Sequence, residues 1–345
     1  MKKLVVSLSM IMMISLAILL VGCGSSSDED GDSSAVKELR FSSMAVEGDL
    51  AYDICQGICD EINEKSDTMH VTFYPADQLG DFSTVFPELM NGTIDFAECS
   101  FPDTYDPMTT CALLPYLVTN YDDLVKVLDP DGFIYKTTGE ACEKLGVDFL
   151  GANVDGLTGV ATSKPIINEL DPNKDKGVVI RTSSTKVFKM SAECLGFRCS
   201  ELPYSEVFSS MQSGVVDGCI AAPPAATYTD LGDAFTYWYE YKMVPEMTGL
   251  LASHKVMETL TEEEQAIVKE AFYNGSLKSY EGSKAHNEEY LQIMKDKGYT
   301  VTEFTDEQLE VFAKNARENW WPKLVDTFGQ DFFDQLNEEL DRLGI

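Results

Sequence analysis

Between Leu39 and Ser100 the hydrophobic period alternates between that of a strand and that of a helix, which leaves few folds open. Leu39-Arg40-Phe41-Ser42-Ser43 reads as a strand ending in a polar loop. Ala51 to Lys65 repeats Ile54, Ile58 and Ile62 at i+4, one face of an amphipathic helix. "MHVTFYP" from Met69 to Pro75 alternates again, Phe82 to Met90 is helical and closed by Gly92, and Thr93 to Ala97 is a third strand running into Glu98-Cys99-Ser100. Strand and helix in strict succession predict an α/β fold with a mostly parallel sheet.

The pattern then restarts. Helices around Tyr121 to Leu128 and Gly139 to Gly146 lead to a strand at Asp148 to Gly151, and from Leu157 a second series begins: Val160 to Ser163, Val178 to Arg181, and a helix from Thr185 to Leu195. It continues in "YSEVFSSMQSGVVDG", Tyr204 to Gly218. Val207, Phe208 and Met211 recur at helical spacing, with Ser205 as an N-cap and Gly214 as a left-handed stop. Val215 and Val216 then read as a buried strand ended by Asp217-Gly218. Ligands of such sheets lie beyond the carboxyl ends of the strands, so Asp217 to Pro223 is expected to face a cleft. Glu262 to Lys297 is a long polar helix, and Asp306 to Leu343 is amphipathic helix. A chain of 345 residues exceeds one small core and has room for two lobes.

The N-terminus points outside the cytoplasm. Lys2 and Lys3 precede an apolar run from Leu4 to Val21, the layout of a signal peptide over residues 1–22. Leu20-Val21-Gly22-Cys23 resembles the lipobox of bacterial lipoproteins, in which the cysteine, here Cys23, carries the lipid; an ordinary secretory signal or a single membrane anchor is the alternative. Residues 23–35, rich in Ser, Gly and Asp, are expected to form a flexible tether. The net charge of −32 rejects nucleic acid and anionic lipid headgroups, and any bound anion needs a local cation. Eight cysteines follow Cys23 and leave disulfides and free thiols equally open. Three histidines and no CxxC pair give no zinc spacing, and no metal or cofactor is expected. G-x-S-x-G, H-E-x-x-H, G-x-G-x-x-G and P-loop motifs are all missing, so an enzyme is not expected.

Five phrases stand in a fixed order: "YPADQLGD" (Tyr74 to Asp81), "NGTIDFAECS" (Asn91 to Ser100), "LLPYLVTNYDD" (Leu113 to Asp123), "KGVVIRTSS" (Lys176 to Ser184) and "PYSEVFSSMQSGVVDG". Together they resemble the solute-binding proteins of tripartite ATP-independent periplasmic (TRAP) transporters, the DctP-like family, from about Leu39 to the C-terminal helices. The resemblance implies a two-lobed, flytrap-like periplasmic-binding fold with crossing strands and a long connecting helix. It places lobe I at residues 36–156 with about 247–286, and lobe II at 157–246 with about 287–345. It also implies a monomer that captures an organic acid between the lobes and delivers it to membrane permease subunits. A binding lipoprotein for an ATP-driven importer or a sensor kinase shares this logic, and a surface adhesin is a third reading.

In that family an arginine ends the "G-x-K-x-R" strand and forms a two-pronged salt bridge with the ligand carboxylate. Here it is Arg181, after Val178-Val179-Ile180. A guanidinium matches a carboxylate with paired donors, although an arginine can also pair with a structural Asp or Glu. Thr158 stands where some relatives carry a second arginine, and Ala221 where they carry an asparagine after Asp-Gly. Tyr204 matches an aromatic pocket residue, or is lobe packing. Glu98 or Ser100 matches a polar loop of the first lobe, where Ser42 and Ser43 also end a strand, and Asp217 opens the wall that runs to Pro224. With Thr158 and Ala221 in those places, the pocket is expected to suit a monocarboxylate with a less polar body than a sugar acid or succinate. Tyr237-Trp238-Tyr239 and Tyr228 are cleft walls or, for most of them, core.

Overall fold

A computed structural model describes residues 36–220 and 222–345; the leader, Cys23, the tether and Ala221 lie outside the described residues. The strands in chain order are β1 (Lys37–Ser43), β2 (Met69–Tyr74), β3 (Phe96–Cys99), β4 (Val147–Leu157), β5 (Val160–Thr162) and β6 (Val179–Thr182). β7 (Arg198–Glu201), β8 (Gly218–Ile220), β9 (Tyr237–Glu240), β10 (Pro245–Ser253) and β11 (Thr300–Glu303) complete them. Helix Leu50–Lys65 joins β1 to β2 and buries Ile54, Ile58 and Ile62, the stripe that its i+4 spacing required. β1 pairs in parallel with β2 and with β3, as the alternation demands.

Two sheets result. The first has the order β2-β1-β3-β10-β4, with β10 antiparallel to both neighbours. The second has the order β11-β9-β5-β8-β6-β7. The chain passes from one sheet to the other twice, from β4 into β5 and from β9 into β10. These crossings are bonded to each other: Thr158 N–H donates to Val244 O at 2.9 Å, and Met243 N–H donates to Thr158 O at 3.1 Å. A 35-residue helix, Glu262–Asp296, makes the third link, packing on helix Leu50–Lys65 and β4 and also on helix Pro224–Leu231 and β11. A capping box starts it, in which Thr261 Oγ1 accepts from Glu264 N–H and Glu264 Oε2 accepts from Thr261 N–H at 2.8 Å. The fold is therefore the expected α/β one: two lobes, crossing strands and a long connecting helix.

One strand is displaced from its expected place. Gly214 does stop the helix, at φ 74°, but Val215 is 64% exposed and neither valine is in a strand. The amides of Val215 and Val216 donate to Ser210 O at 2.9 and 3.3 Å, closing the helix, so they cannot join a ladder. The strand begins three residues later, at Gly218. Ser205 caps nothing, because a short 3-10 turn, Tyr204–Glu206, precedes helix Val207–Gln212. Trp238 and Tyr239 are core, as expected for most of that aromatic run. All eight described cysteines are free thiols, seven of them buried.

Gly159 lies in the β4–β5 crossing, where an added Cβ would sit 2.4 Å from the Trp238 ring and 2.7 Å from Tyr239 O. Trp238 is fully buried and cannot retreat. Gly159→Ala is expected to destabilise the protein by about 1–3 kcal/mol, seen calorimetrically as a fall of about 2–6 °C in melting temperature. An unchanged melting temperature would show that the crossing can shift without disturbing the second sheet.

Candidate functional site

β6 alternates, burying Ile180 in the core and carrying Arg181 to the wall of a cavity of about 380 Å³ that residues of both sheets line. This is a common size for a small-molecule site. Arg181 is only 6% exposed, its Nε donates to Leu202 O at 2.8 Å, and its guanidinium carbon lies 5.4 Å from the centre of the Tyr204 ring. Among the described residues it forms no ion pair, so a structural carboxylate partner is not what holds it. Burial lowers its pKa, with Cys219, Tyr204 and Glu246 acting in the opposite sense; a guanidinium nonetheless stays cationic in a protein. Tyr204 lines the same wall and donates its hydroxyl to Asp230 Oδ2 at 2.6 Å, which fixes its ring beside the guanidinium.

Across the cavity, β3 presents Glu98, which is 1% exposed and accepts from Ser43 Oγ at 2.8 Å. Burial raises the Glu98 pKa, while hydrogen bonds from Thr248, Ser43 and the Met44 amide pull it back. Ser100 lines the cavity as expected. Ser43 does not: fully buried, it donates to Glu98 and accepts from Ala45 N–H at 3.0 Å, so it supports Glu98 from behind. Ser42 is buried too.

Two expected site residues are elsewhere. Thr158 lies in the seam between the crossing strands, fully buried and held by Val244 and Met243, and does not line the cavity. Asp217 sits at the amino end of β8, away from the cavity. Its Oδ2 accepts from Val179 N–H at 2.9 Å, at the start of the parallel strand β6, and Lys164 pairs with it at 2.8 Å. A strand at Val215-Val216 would place Asp217 at its carboxyl end; because the strand starts at Gly218, Asp217 precedes it instead. The wall beyond it is apolar as expected where described, through Ile220, Ala222 and Pro223, joined by Phe101, Leu113 and Phe188.

Sequence reasoning missed most of the charge. The lining holds eight Asp or Glu side chains and, of Lys and Arg, Arg181 alone. Asp49 begins the first helix, Asp155 is on β4, Glu246 on β10 and Asp230 on helix Pro224–Leu231. Burial, then the charge of Asp230, raises Asp49 to about 7. Burial, then Glu98, raises Asp77 to about 6 and Glu246 to about 8. Asp155 is raised well above the usual range by burial and then by Glu98 and Glu246, and Asp230 by burial. The expectation of a less polar pocket therefore holds for one wall only. His286 and Asn287, from the long helix, complete the rim.

A cavity lined from two bridged lobes, with one buried cation on its wall, has the form of a small-molecule site. The chain belongs to the bacterial extracellular solute-binding protein family 7 (DctP), whose family model matches residues 41–325. It is 24% identical over 321 residues to the ectoine-binding periplasmic protein TeaA of Halomonas elongata, covering 87% of this chain and 89% of that protein. It is 22% identical over 312 residues to the sialic acid-binding periplasmic protein SiaP of Vibrio cholerae, covering 88% and 92%. In fold it is similar to the sugar acid binding protein DctPAm of Advenella mimigardefordensis in complex with galactonate, with a TM-score of 0.80 at 19% identity over 89% of this chain and 99% of that one. It is also similar to a TRAP periplasmic solute-binding protein of Sulfurospirillum deleyianum with bound succinate, with a TM-score of 0.79 at 20% identity, covering 88% and 99%.

Proposed function

We propose that this protein captures a small carboxylate-bearing molecule in the interlobe cavity and delivers it to the membrane subunits of a TRAP transporter. The observation that carries this is Arg181, a nearly buried cation on the cavity wall with no ion-pair partner among the described residues. Desolvating a guanidinium is costly unless an anion meets it, and a carboxylate matches its two parallel donors. Tyr204 buttresses it, and Glu98 and Ser100 contact the other side of the ligand. The family's extracytoplasmic setting and the organic acids bound by its relatives agree with this reading. Residues 36–156 with about 247–286 form the lobe around the first sheet, and 157–246 with about 287–345 the other; the protein acts as a monomer. Denaturing the purified protein and identifying the released molecule by mass spectrometry tests the reading. An acid is expected, and a ligand with no anionic group would overturn it.

In the same reading Cys23 is lipidated and holds the protein at the outer face of the membrane through the 23–35 tether. Cys23→Ala is expected to release a soluble protein whose ligand-induced thermal shift is unchanged, as fractionation and melting would show. Retention of the variant in the membrane pellet would mean that the apolar leader is an uncleaved anchor.

A further inference from the structure

The acidic side of the cavity asks for something that a simple acid does not supply. Elsewhere in the fold, buried carboxylates have donors: Glu240 accepts from Trp238 Nε1 at 2.6 Å, and Glu264 from Thr68 Oγ1 at 2.7 Å as well as from Lys37. Several cavity acids are served too, with Asp155 accepting from Asn153 Nδ2 at 2.8 Å and Asp230 from Tyr204. Two are not. Asp49 is 8% exposed and lines the cavity, yet its Oδ1 has no hydrogen-bond partner among the described residues. Glu246 lines it too, close enough to Glu98 and Arg181 to feel both charges, and its buried Oε2 is likewise without a partner among the described residues. An unserved buried carboxyl oxygen costs about 1–3 kcal/mol, more when charged, and a cationic group beside these two carboxyl groups would offset part of that cost.

Among the described residues no three acidic or ligating side chains converge at metal-binding spacing. A second ligand carboxylate would find no Lys or Arg besides Arg181 in the lining, whereas a cationic group would find acids that ionise to meet it, Asp49, Glu98, Asp155 and Glu246 among them.

Resting on the assignment of Arg181 to a carboxylate, we infer that the ligand is a zwitterion: its carboxylate lies on Arg181, and an amine, quaternary ammonium or amidinium group lies among Asp49, Glu98, Asp155 and Glu246. The apolar body spans the wall of Phe101, Phe188 and Ile220. Because Asp49 and Glu246 hold protons near neutral pH, bringing a cation against them expels protons. Binding of a zwitterion at pH 6.5 therefore releases protons, and binding of a plain acid does not.

Calorimetric titration in two buffers of different ionisation enthalpy reads both affinity and proton release. The probes are zwitterions (4-aminobutanoate, 5-aminopentanoate, arginine, glycine betaine), nitrogen-free acids (butanoate, pentanoate, succinate) and butylamine. At least one zwitterion is expected to bind tenfold or more tightly than its nitrogen-free counterpart, with net proton release. Asp49→Asn and Glu246→Gln, which keep the side-chain shapes, should each weaken the zwitterion tenfold or more relative to its nitrogen-free counterpart. No zwitterion outbinding its acid counterpart, or protons taken up on binding, overturns the inference while leaving Arg181 as the carboxylate site. If Arg181→Ala spares every probe but Asp49→Asn weakens the zwitterion or butylamine, the carboxylate assignment fails and the cation subsite stands alone.

Discussion

Arg181→Ala is expected to weaken ligand binding by about 10² to 10³-fold, with little change in the melting temperature of the ligand-free protein. The salt bridge forms in a cavity where Arg181 is 6% exposed, so removing the guanidinium leaves the ligand carboxylate desolvated and unpaired. That loss is worth about 3–5 kcal/mol, and each ~1.4 kcal/mol is tenfold in affinity. The ligand-free protein loses the bond from Arg181 Nε to Leu202 O, about 1 kcal/mol, and the guanidinium's contact with the Tyr204 ring, about 0.5–1 kcal/mol, but is relieved of an unpaired buried cation. Arg181→Lys should recover part of the affinity, since an ammonium restores charge but not the planar pair of donors. Ligand at 1,000 times its dissociation constant stabilises the native state by about 4 kcal/mol, so the ligand-induced rise in melting temperature should fall to about a third or less in Arg181→Ala at the same ligand concentration. A full thermal shift in that variant, or its unfolding without ligand, would make Arg181 a structural residue.

What the sequence made legible was local. The βαβ alternation, the buried stripe Ile54, Ile58, Ile62, the stop at Gly214 and the arginine ending an apolar strand are each set by residues within a turn or two of one another. What it hid depends on distant pairing. β10 joins Gly249 to Cys99 and to Ala152, partners about 100 to 150 residues earlier, and carries Pro245 and Gly249, which weaken its strand signal. Asp217 was misassigned because its side of the sheet follows from β6 and β8 being parallel and in register, and pairing direction leaves no mark within one strand. The acidic wall did leave a mark. Glu98 and Glu246 are each the single acid of an otherwise apolar or small-residue strand, "FAEC" and "PEMTGLLAS", and Asp155 interrupts the small and apolar stretch "GANVDGL" of β4. With 58 acidic residues in the chain, that mark does not stand out until β3, β4 and β10 bring three of them to one cavity.

Those acids give the ligand-free protein an inverted response to pH: between about pH 5 and 8.5 its melting temperature is expected to fall as pH rises. Burial holds Asp49 near 7 and Glu246 near 8, against ordinary values of 3.8 and 4.5, and Asp77 near 6. Between each pair of values the unfolded chain has given up its proton while the folded protein keeps it, so raising the pH favours unfolding until the folded-state value is passed. His254, raised by its hydrogen bond with Asp148, acts in the same direction but is half-exposed and contributes little. Glu264 acts in the opposite direction, and outside this window. Burial alone would raise it, but hydrogen bonds from Lys37, the Thr261 amide and Thr68 hold it near 2, so its contribution is lost only as pH falls below its ordinary 4.5. Each pH unit is worth about 1.4 kcal/mol per group. Water drawn into the cavity by the first ionisation reduces the rest, and a net loss of about 3 kcal/mol corresponds to a fall of about 6 °C. Asp49→Asn and Glu246→Gln, uncharged at every pH, should each raise the melting temperature at pH 8.5 more than at pH 5 and flatten the slope. A melting temperature that stays level or climbs over this range would mean that the cavity carboxylates are already ionised in the ligand-free protein, with a cation or water serving Asp49 and Glu246.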